Sequence, residues 1–387
     1  MKVLFLAPQP FFEERGTPIA VDLLLKVLSK RGEYIDLITY HLGKNVEYEN
    51  INLHRIMNLP FIRSVPPGFS MQKIICDLFL FIKVVSLVSR NRYNVIHAVE
   101  ESVFIALLIK KIWGIQYIYD MDSRLPRQLL DEYPFLKPFA FFFYSLERVV
   151  VRNAAIVVPV CDSLAVEIEK YETDNVVVLY DVSLVENSAG EMDENLRGQM
   201  DYAGTLVMYV GNLESYQGID LLLESFPFVI KKSKSIRIAI IGGKDDDILK
   251  YKKKSETLGI SSHVQFLGPR PVKNLAGYLS EADILVSPKI NGDNTPMKIY
   301  SFLGSGKPII ATRLRTHTQV LDDSTSILVE PNPESFAEGM LLLAEDEDLR
   351  QMLGERGKIL VEEKYNFENF QIRVNNFYDS LARADAH

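Results

Sequence analysis

The chain has 387 residues, 47% of them hydrophobic and 24% charged, which is a globular composition and more than one hydrophobic core ordinarily holds, so two domains of about 150 to 200 residues are expected. Its 43 Lys and Arg against 51 Asp and Glu give a formal charge of -8; a sequence-blind nucleic-acid binder needs a basic face and is argued against. Two cysteines, Cys76 and Cys161, make neither a disulfide framework nor a metal-ligand cluster.

In chain order, Lys2 to Pro8 reads as a strand, too short and too quickly polar for a signal peptide, and with the cysteine usage it implies a reducing cytoplasm. A loop leads to Gly16-Thr17-Pro18: a glycine turn, a threonine cap and a proline at the first helical position. The helix that follows sets Val21, Leu24, Leu25 and Leu28 on one face and closes at Gly32. Strands follow at Tyr34 to Tyr40 and Asn52 to Ile56, then a helix near Ser70 to Ser89, strand Asn94 to Val99 and helix Glu101 to Trp113. The half continues with strand Gln116 to Met121, helix Pro138 to Arg152, strand Ile156 to Val160, helix Asp162 to Lys170 and strand Val176 to Leu179. Strands alternating with helices of this length build a mostly parallel sheet covered on both faces.

The polar, acidic run 186–204 breaks the pattern and is the linker candidate. The alternation restarts with strand Val207 to Val210, helix Ile219 to Lys231, strand Ile236 to Ile241, helix Ile248 to Leu258, strand Val264 to Leu267 and helix Val272 to Leu279. Ala282 to Thr312 then joins a buried strand (Ile284 to Ser287), a small-residue loop, and a short helix with Thr295 as cap and Pro296 in its first turn. A second apolar strand ends that stretch, which has the outline of a phosphate site at a helix start. Helices Pro333 to Ala344, Asp348 to Glu363 and Glu368 to Ala384 close the chain. The expected divisions are an N-terminal Rossmann-like domain at 1–190, a linker at 191–205, a C-terminal Rossmann-like domain at 206–365 and a final helix at 366–387 that packs back toward the first domain.

Several motifs now resemble one family. Tyr209-Val210-Gly211-Asn212-Leu213, Gln217-Gly218-Ile219-Asp220, Phe266-Leu267-Gly268, Ala282-Asp283-Ile284 and Met297-Lys298-Ile299-Tyr300, running into Gly306-Lys307-Pro308, are similar in order and spacing to the GT-B glycosyltransferases, specifically the large retaining family 4. The likeness is looser in the first half, where it rests on Gly16, Val95-Ile96-His97-Ala98 and Tyr119-Asp120-Met121. The resemblance implies the α/β GT-B fold, two Rossmann-like domains facing each other across a cleft, with the Gly16 loop as acceptor side and the Asp293 loop as donor side.

It also implies roles. The donor's diphosphate is held in this family by basic residues and backbone N–H groups, while two glutamates with seven residues between them contact sugar and ribose. Here those positions are Asp293 and Ser301: the first keeps a carboxylate, the second offers only a hydroxyl. Asn212 and Gln217 stand where members often carry Arg and Lys, leaving Lys298, with Arg270 second, as the cation for the phosphates. Asp122 occupies the position of a histidine near the transferred sugar, and aspartate is expected there to accept but not donate a hydrogen bond. The catalytic set is therefore Asp293, Lys298 and Asp122; Gly16, Thr17, His97, Glu100, Gly211, Asn212, Gln217, Arg270, Asn294, Thr295, Pro296, Met297 and Ser301 are substrate-binding candidates. For His97 a satisfied core histidine is the commoner outcome, and Glu100 and Glu101 otherwise just charge a helix start.

Asp120-Met121-Asp122 has the carboxylate spacing of metal-dependent sugar transferases of another fold, but GT-B enzymes are usually metal-independent, so no metal and no cofactor are expected. No G-x-G-x-x-G follows the first strand and no P-loop occurs, which leaves a dehydrogenase or ATPase little support.

Met71 to Val88 and Phe135 to Val151 are very apolar, with Lys or Arg within or beside them. Burial is the favoured reading; the alternative is a domain resting on a bilayer to reach a lipid-linked acceptor. With no run of about 20 uncharged apolar residues, no transmembrane helix is expected. The expected function is retaining transfer of a sugar from a nucleotide diphosphate sugar to a glycan or glycolipid hydroxyl in cell-surface polysaccharide synthesis, in the cytoplasm or at the inner face of the membrane. The alternative is a nucleotide-sugar-binding partner protein of a glycan assembly complex with transfer weakened. Nucleic acid is not an expected partner.

Overall fold

A computed structural model describes residues 1–66, 68–173, 175–185, 195–200 and 202–384. Contacts divide the chain into two units, Met1–Tyr180 with Phe370–His387, and Asp181–Asn369. Of the linker expected at 191–205, residues 191–194 and 201 lie outside the described residues.

The first unit comprises β1 (Lys2–Ala7), α1 (Gly16–Lys30), β2 (Tyr34–Thr39), β3 (Ile51–Arg55), α2 (Met71–Val88), β4 (Val95–Val99), α3 (Ser102–Trp113), β5 (Gln116–Met121), α4 (Leu125–Glu132), α5 (Ala140–Asn153), β6 (Ile156–Pro159) and α6 (Asp162–Glu169). Its strands pair in the order β3-β2-β1-β4-β5-β6, all parallel. One face of the sheet, with Leu4, Leu6, Ala98, Tyr117 and Tyr119, packs on Cys76 and Leu80 of α2, Val103 and Ala106 of α3 and Val150 of α5.

The second unit repeats the plan with α7 (Leu196–Gln199), β7 (Thr205–Val210), α8 (Ile219–Lys232), β8 (Ile236–Ile241), α9 (Asp245–Thr257), β9 (Val264–Gly268), α10 (Leu275–Glu281), β10 (Ile284–Ser287), α11 (Lys298–Gly304), β11 (Ile309–Thr312), α12 (Arg315–Thr318), β12 (Ile327–Val329), α13 (Pro333–Glu345) and α14 (Glu347–Lys364). Its parallel sheet runs β12-β11-β10-β7-β8-β9. The last helix, α15 (Phe367–Ala384), returns to the first unit; there Tyr378 meets His97 of β4 at 2.9 Å and Asp379 meets Arg31 at 2.8 Å.

In both sheets the chain starts in the middle and reverses direction between its first and fourth strands, β1 and β4 in one unit, β7 and β10 in the other. Such a switch point leaves a crevice beyond the strands' carboxyl ends, where ligands bind in open α/β sheets. The loops after these four strands are therefore the places to look for chemistry.

Several expected boundaries change. Val176 to Leu179 forms only an isolated bridge, Val176 to Val157, rather than a strand. The helix expected from Pro138 begins as a 3-10 turn at Pro134–Phe139 and becomes α-helical at Ala140, because Pro138 has no N–H to give an α-helical ladder. Helix α4 and strand β12 were not anticipated, the latter being three residues long. Thr17 does not cap α1, whose N-cap is Arg15, and Thr295 does not cap α11, whose N-cap is Met297.

One buried ion pair fastens the helices after β5. Arg124 donates to Glu147 of α5 at 2.8 Å and to Glu167 of α6 at 2.8 Å, and Tyr171 donates to Glu147 at 2.6 Å. Glu147 is only 2% exposed, so Arg124→Met strands a buried carboxylate. Urea unfolding of that variant is expected to show a loss of about 3 to 5 kcal/mol, and Arg124→Met with Glu147→Leu should recover much of it.

Candidate active site

In the second unit β7 ends at Val210 and Gly211 turns the chain at φ +147°, a conformation side-chain-bearing residues rarely adopt. A Cβ at Gly211 would also come within 3.0 Å of Lys298 Nζ. Lys298 opens α11, and its ammonium lies 3.9 Å from the centroid of the Tyr209 ring. That nitrogen is buried and has no hydrogen-bond partner. Burial, then the charge of nearby Lys289, push Lys298 well below the ordinary lysine range. The ring face offsets part of the desolvation.

Lys289 follows β10 directly and is buried. Its ammonium donates to Asn294 O at 2.8 Å and to Asn294 Oδ1 at 3.1 Å. The loop that carries it is tied from below: Thr312 Oγ1 donates to Lys289 O at 2.6 Å, Thr316 Oγ1 to Asn294 O at 2.6 Å, and Gln319 Nε2 to Asp293 O at 3.0 Å. Buried His317 completes the tie. Its Nδ1 lies 2.9 Å from the Thr312 carbonyl and so must donate, leaving Nε2 to accept from Ser287 Oγ at 2.9 Å. Burial lowers His317 to about 3, which keeps it neutral and fixes that tautomer.

Lys289 and His317 were missed in the sequence. A lysine immediately after an apolar parallel strand, at Ser287-Pro288-Lys289, was a usable signal, because a strand's carboxyl end is where a ligand and its counter-charge meet. His317 carried no comparable signal, since its partners come from two other strands.

Around this centre the expected residues sort themselves. Asn294 holds Lys289, Pro296 is buried and Met297 caps α11. The Thr295 hydroxyl is buried beside them without a partner. Asp293 is half-buried, its carbonyl bound by Gln319. Asn212 accepts from Tyr209 Oη through its carbonyl at 2.6 Å, and Gln217 is buried with Oε1 3.4 Å from the same hydroxyl. Arg270 follows β9 and donates to Pro269 O at 3.3 Å. Ser301 is a correction: it is 1% exposed and its hydroxyl accepts from the Leu184 N–H at 3.1 Å, so it is packed into the unit and not presented to a ribose.

In the first unit Gly16 opens α1 and Thr17, inside its first turn, is hydrogen-bonded to Asp122 just past β5. Glu100, just past β4, sits at φ +50°, unusual for a residue with a side chain, and accepts from Ser123 Oγ at 3.0 Å. Lys73 pairs with Glu101 at 2.8 Å. Burial, then Asp122 and Glu101, push Glu100 well above the carboxylate range; burial, then Asp120, raise Asp122 to about 7. With its pKa raised toward neutrality, Asp122 has access to a protonated form that donates a hydrogen bond, beside the accepting carboxylate that was expected. His97 takes the commoner of its two expected outcomes. It is fully buried, stacked on Phe5 at 4.4 Å, and held by Tyr378 on Nδ1 and Asp120 at 3.2 Å on Nε2, so it is a core residue and not a substrate contact.

Comparison with known proteins decides the class. Residues 204–346 match the family described as glycosyl transferases group 1. Among curated relatives, a D-inositol 3-phosphate glycosyltransferase of Corynebacterium urealyticum is 24% identical over 95% of this chain and 91% of its own length. Its counterpart from Corynebacterium kroppenstedtii is 27% identical over 47% of this chain, a match that spans only 42% of that protein. Sucrose-phosphate synthase of Thermosynechococcus elongatus, at 17% identity, shares the fold with a TM-score of 0.82 over 99% of both chains. HepE of Anabaena, solved in complex with UDP-glucose, gives 0.75 at 14% identity over 98% of this chain and 100% of that one.

The chain is a glycosyltransferase of the GT-B fold. The group 1 match spans β7 to α13 of this glycosyltransferase and so takes in Gly211, Lys289 and Lys298.

The Asp122 environment gives a pH-dependent stability. Its folded-state pKa, about 7, lies above the ordinary aspartate value of about 4, so the folded state binds the proton more tightly, and the carboxyl's penalty grows as pH rises from about 4 to about 7. Asp122→Asn is expected to melt higher than the parent at about pH 8, with the difference shrinking to nothing near pH 4. A constant difference across that range would show that the carboxyl is solvated.

Proposed function

We propose that this glycosyltransferase moves a sugar, with retention of anomeric configuration, from a nucleotide diphosphate sugar to a hydroxyl of a glycan or glycolipid, in the cytoplasm, in the making of cell-surface polysaccharide. The observation that carries the reading is the buried ammonium of Lys298, without a hydrogen-bond partner at the switch point between β7 and β10, with Lys289 beside it. Two lysines in one crevice repel until a polyanion joins them, and a diphosphate supplies that charge. The UDP-glucose complex of HepE, a protein of the same fold, supports a nucleotide sugar as its source.

In the transfer, the bond from the sugar's anomeric carbon to the diphosphate oxygen breaks and its electron pair stays on the diphosphate. The acceptor oxygen bonds the same face of that carbon, and its proton passes to the departing phosphate. Charge grows on the diphosphate through this step, so Lys298 and Lys289 stabilise the transition state more than the ground state. Asp293, in the loop between them, positions donor-sugar hydroxyls. Asp122, able to hold or release a proton near neutrality, is the first unit's candidate for exchanging hydrogen bonds with a substrate hydroxyl.

A second reading, a nucleotide-sugar-binding partner protein with transfer weakened, is favoured by Ser301. That side chain is occupied with Leu184, which removes the contact to ribose that the second family glutamate would make.

Hydrolysis and transfer assays across UDP-, GDP- and ADP-sugars, with crude membrane acceptors, separate the two. Turnover that falls about 10²- to 10³-fold in Lys298→Met and falls again in Asp293→Ala supports transfer; nucleotide binding without turnover in any combination supports the partner protein. Because burial and Lys289 lower Lys298 in the empty crevice and an anion beside it raises it, nucleoside diphosphate binding should weaken as pH rises through the lysine's titration, with proton uptake over that range. Calorimetry in buffers of different ionisation enthalpy should find that uptake in the parent and lose it in Lys298→Met.

A further inference from the structure

Helices α2, α3 and α5 lie side by side on one face of the first unit's sheet, their inner residues sharing one core. Lys110 of α3 donates to Asn153 O of α5 at 2.7 Å, and Lys73 of α2 pairs with Glu101 at the start of α3. Their outer surfaces are apolar at helical spacing. Ile74, Leu78 and Ile82 are exposed on α2 at successive turns, Leu108 and Ile112 on α3, and Phe142, Leu146 and Val149 on α5. Phe135, 73% exposed, and Phe141, 86% exposed, extend the strip at the entry to α5. Lone exposed apolar residues are ordinary; a set continuous over three neighbouring helices marks an interaction surface.

The charges say what that surface meets. Within α2, α3 and 134–153 the acidic side chains are Asp77 and Glu147, and both turn inward. Asp77 accepts from Tyr40 Oη at 2.5 Å and is raised to about 8 by burial and then by Glu101, so it is largely uncharged; Glu147 is buried on Arg124. The basic side chains Lys111, Lys137 and Arg148 are exposed. Glu172, which meets Arg152 and lies 3.8 Å from Arg148, offsets charge only at the end of α5. A chain of net charge -8 thus shows cations and aromatics together on this face, the combination that an anionic headgroup layer above hydrocarbon attracts. Among the described residues no helix is long and apolar enough to cross a membrane, so the contact would be one of lying on the surface.

We propose that the outer face of α2, α3 and α5 docks on an anionic phospholipid bilayer. Docking is read without turnover, so it stands or falls apart from the choice of donor and acceptor. The full chain is tested by co-sedimentation with phosphatidylglycerol–phosphatidylcholine vesicles and with phosphatidylcholine vesicles, at low and high salt. Binding to the anionic vesicles, weakened by salt, is expected. Phe141→Ser with Phe142→Ser and, separately, Lys111→Glu with Lys137→Glu should each reduce it at least tenfold, while Leu249→Ser, an exposed apolar site in the second unit, should not. Circular dichroism and the unchanged melting of each variant confirm folding. No binding to anionic vesicles, or binding that all three variants leave untouched, overturns the proposal. So does a concentration-dependent dimer, seen by light scattering, that the phenylalanine pair abolishes while vesicle binding is absent, since a second copy would then cover the face.

Discussion

An ammonium held in a buried crevice with no hydrogen-bond partner is the constraint from which the second unit's arrangement follows. Removing a lysine charge from water costs several kcal/mol unless a partner compensates, and Lys298 Nζ, without a hydrogen-bond partner, faces the Tyr209 ring while the charge of Lys289 lowers it further. Each supporting feature reads as provision for that charge. Gly211 leaves room where a side chain would strike Nζ, Tyr209 turns its face to it, and the neutral His317 stiffens the loop below without adding positive charge. An empty site of this kind is poorly satisfied, and an occupied one is well satisfied; preorganisation of that sort is what electrostatic catalysis requires.

The first unit uses the same strand order to the opposite electrical end. At the carboxyl ends of β4 and β5 it gathers Glu100, Asp120 and Asp122, and burial with mutual repulsion raises the first and the last, whereas beyond β7 and β10 burial with mutual repulsion lowers a lysine. One crevice is thus short of negative charge and the other rich in protonatable oxygen. A diphosphate leaving group needs the former, and hydroxyl groups that both give and accept hydrogen bonds suit the latter.

Fold and site differed in how far the sequence revealed them. Apolar runs of four to eight residues separated by amphipathic ones placed nearly every strand, because parallel strands buried on both faces are written as continuous Val, Ile and Leu. Val176 to Leu179 looked the same but forms only an isolated bridge to Val157, and β12, three residues long, was too short to stand out. The Thr-Pro pairs at Thr17 and Thr295 signalled helix starts within a few residues, yet neither threonine caps, since the backbone turns earlier in one case and later in the other. Lys298 was legible from its place at a helix start. Its lack of a partner, the neutrality of His317, the raised carboxyl of Asp122 and the burial of His97 depend on which atoms three-dimensional neighbours supply, and no spacing encodes that.

The bond between Ser301 and the Leu184 N–H limits what this position can become. A hydroxyl at that position secures the backbone of the chain segment that enters the second unit, one turn along the same helix from Lys298. A glutamate there would push a longer, charged side chain into a space closed to solvent and release the Leu184 N–H from its acceptor. A carboxylate at this position therefore requires the turn around Leu184 to be rebuilt with it.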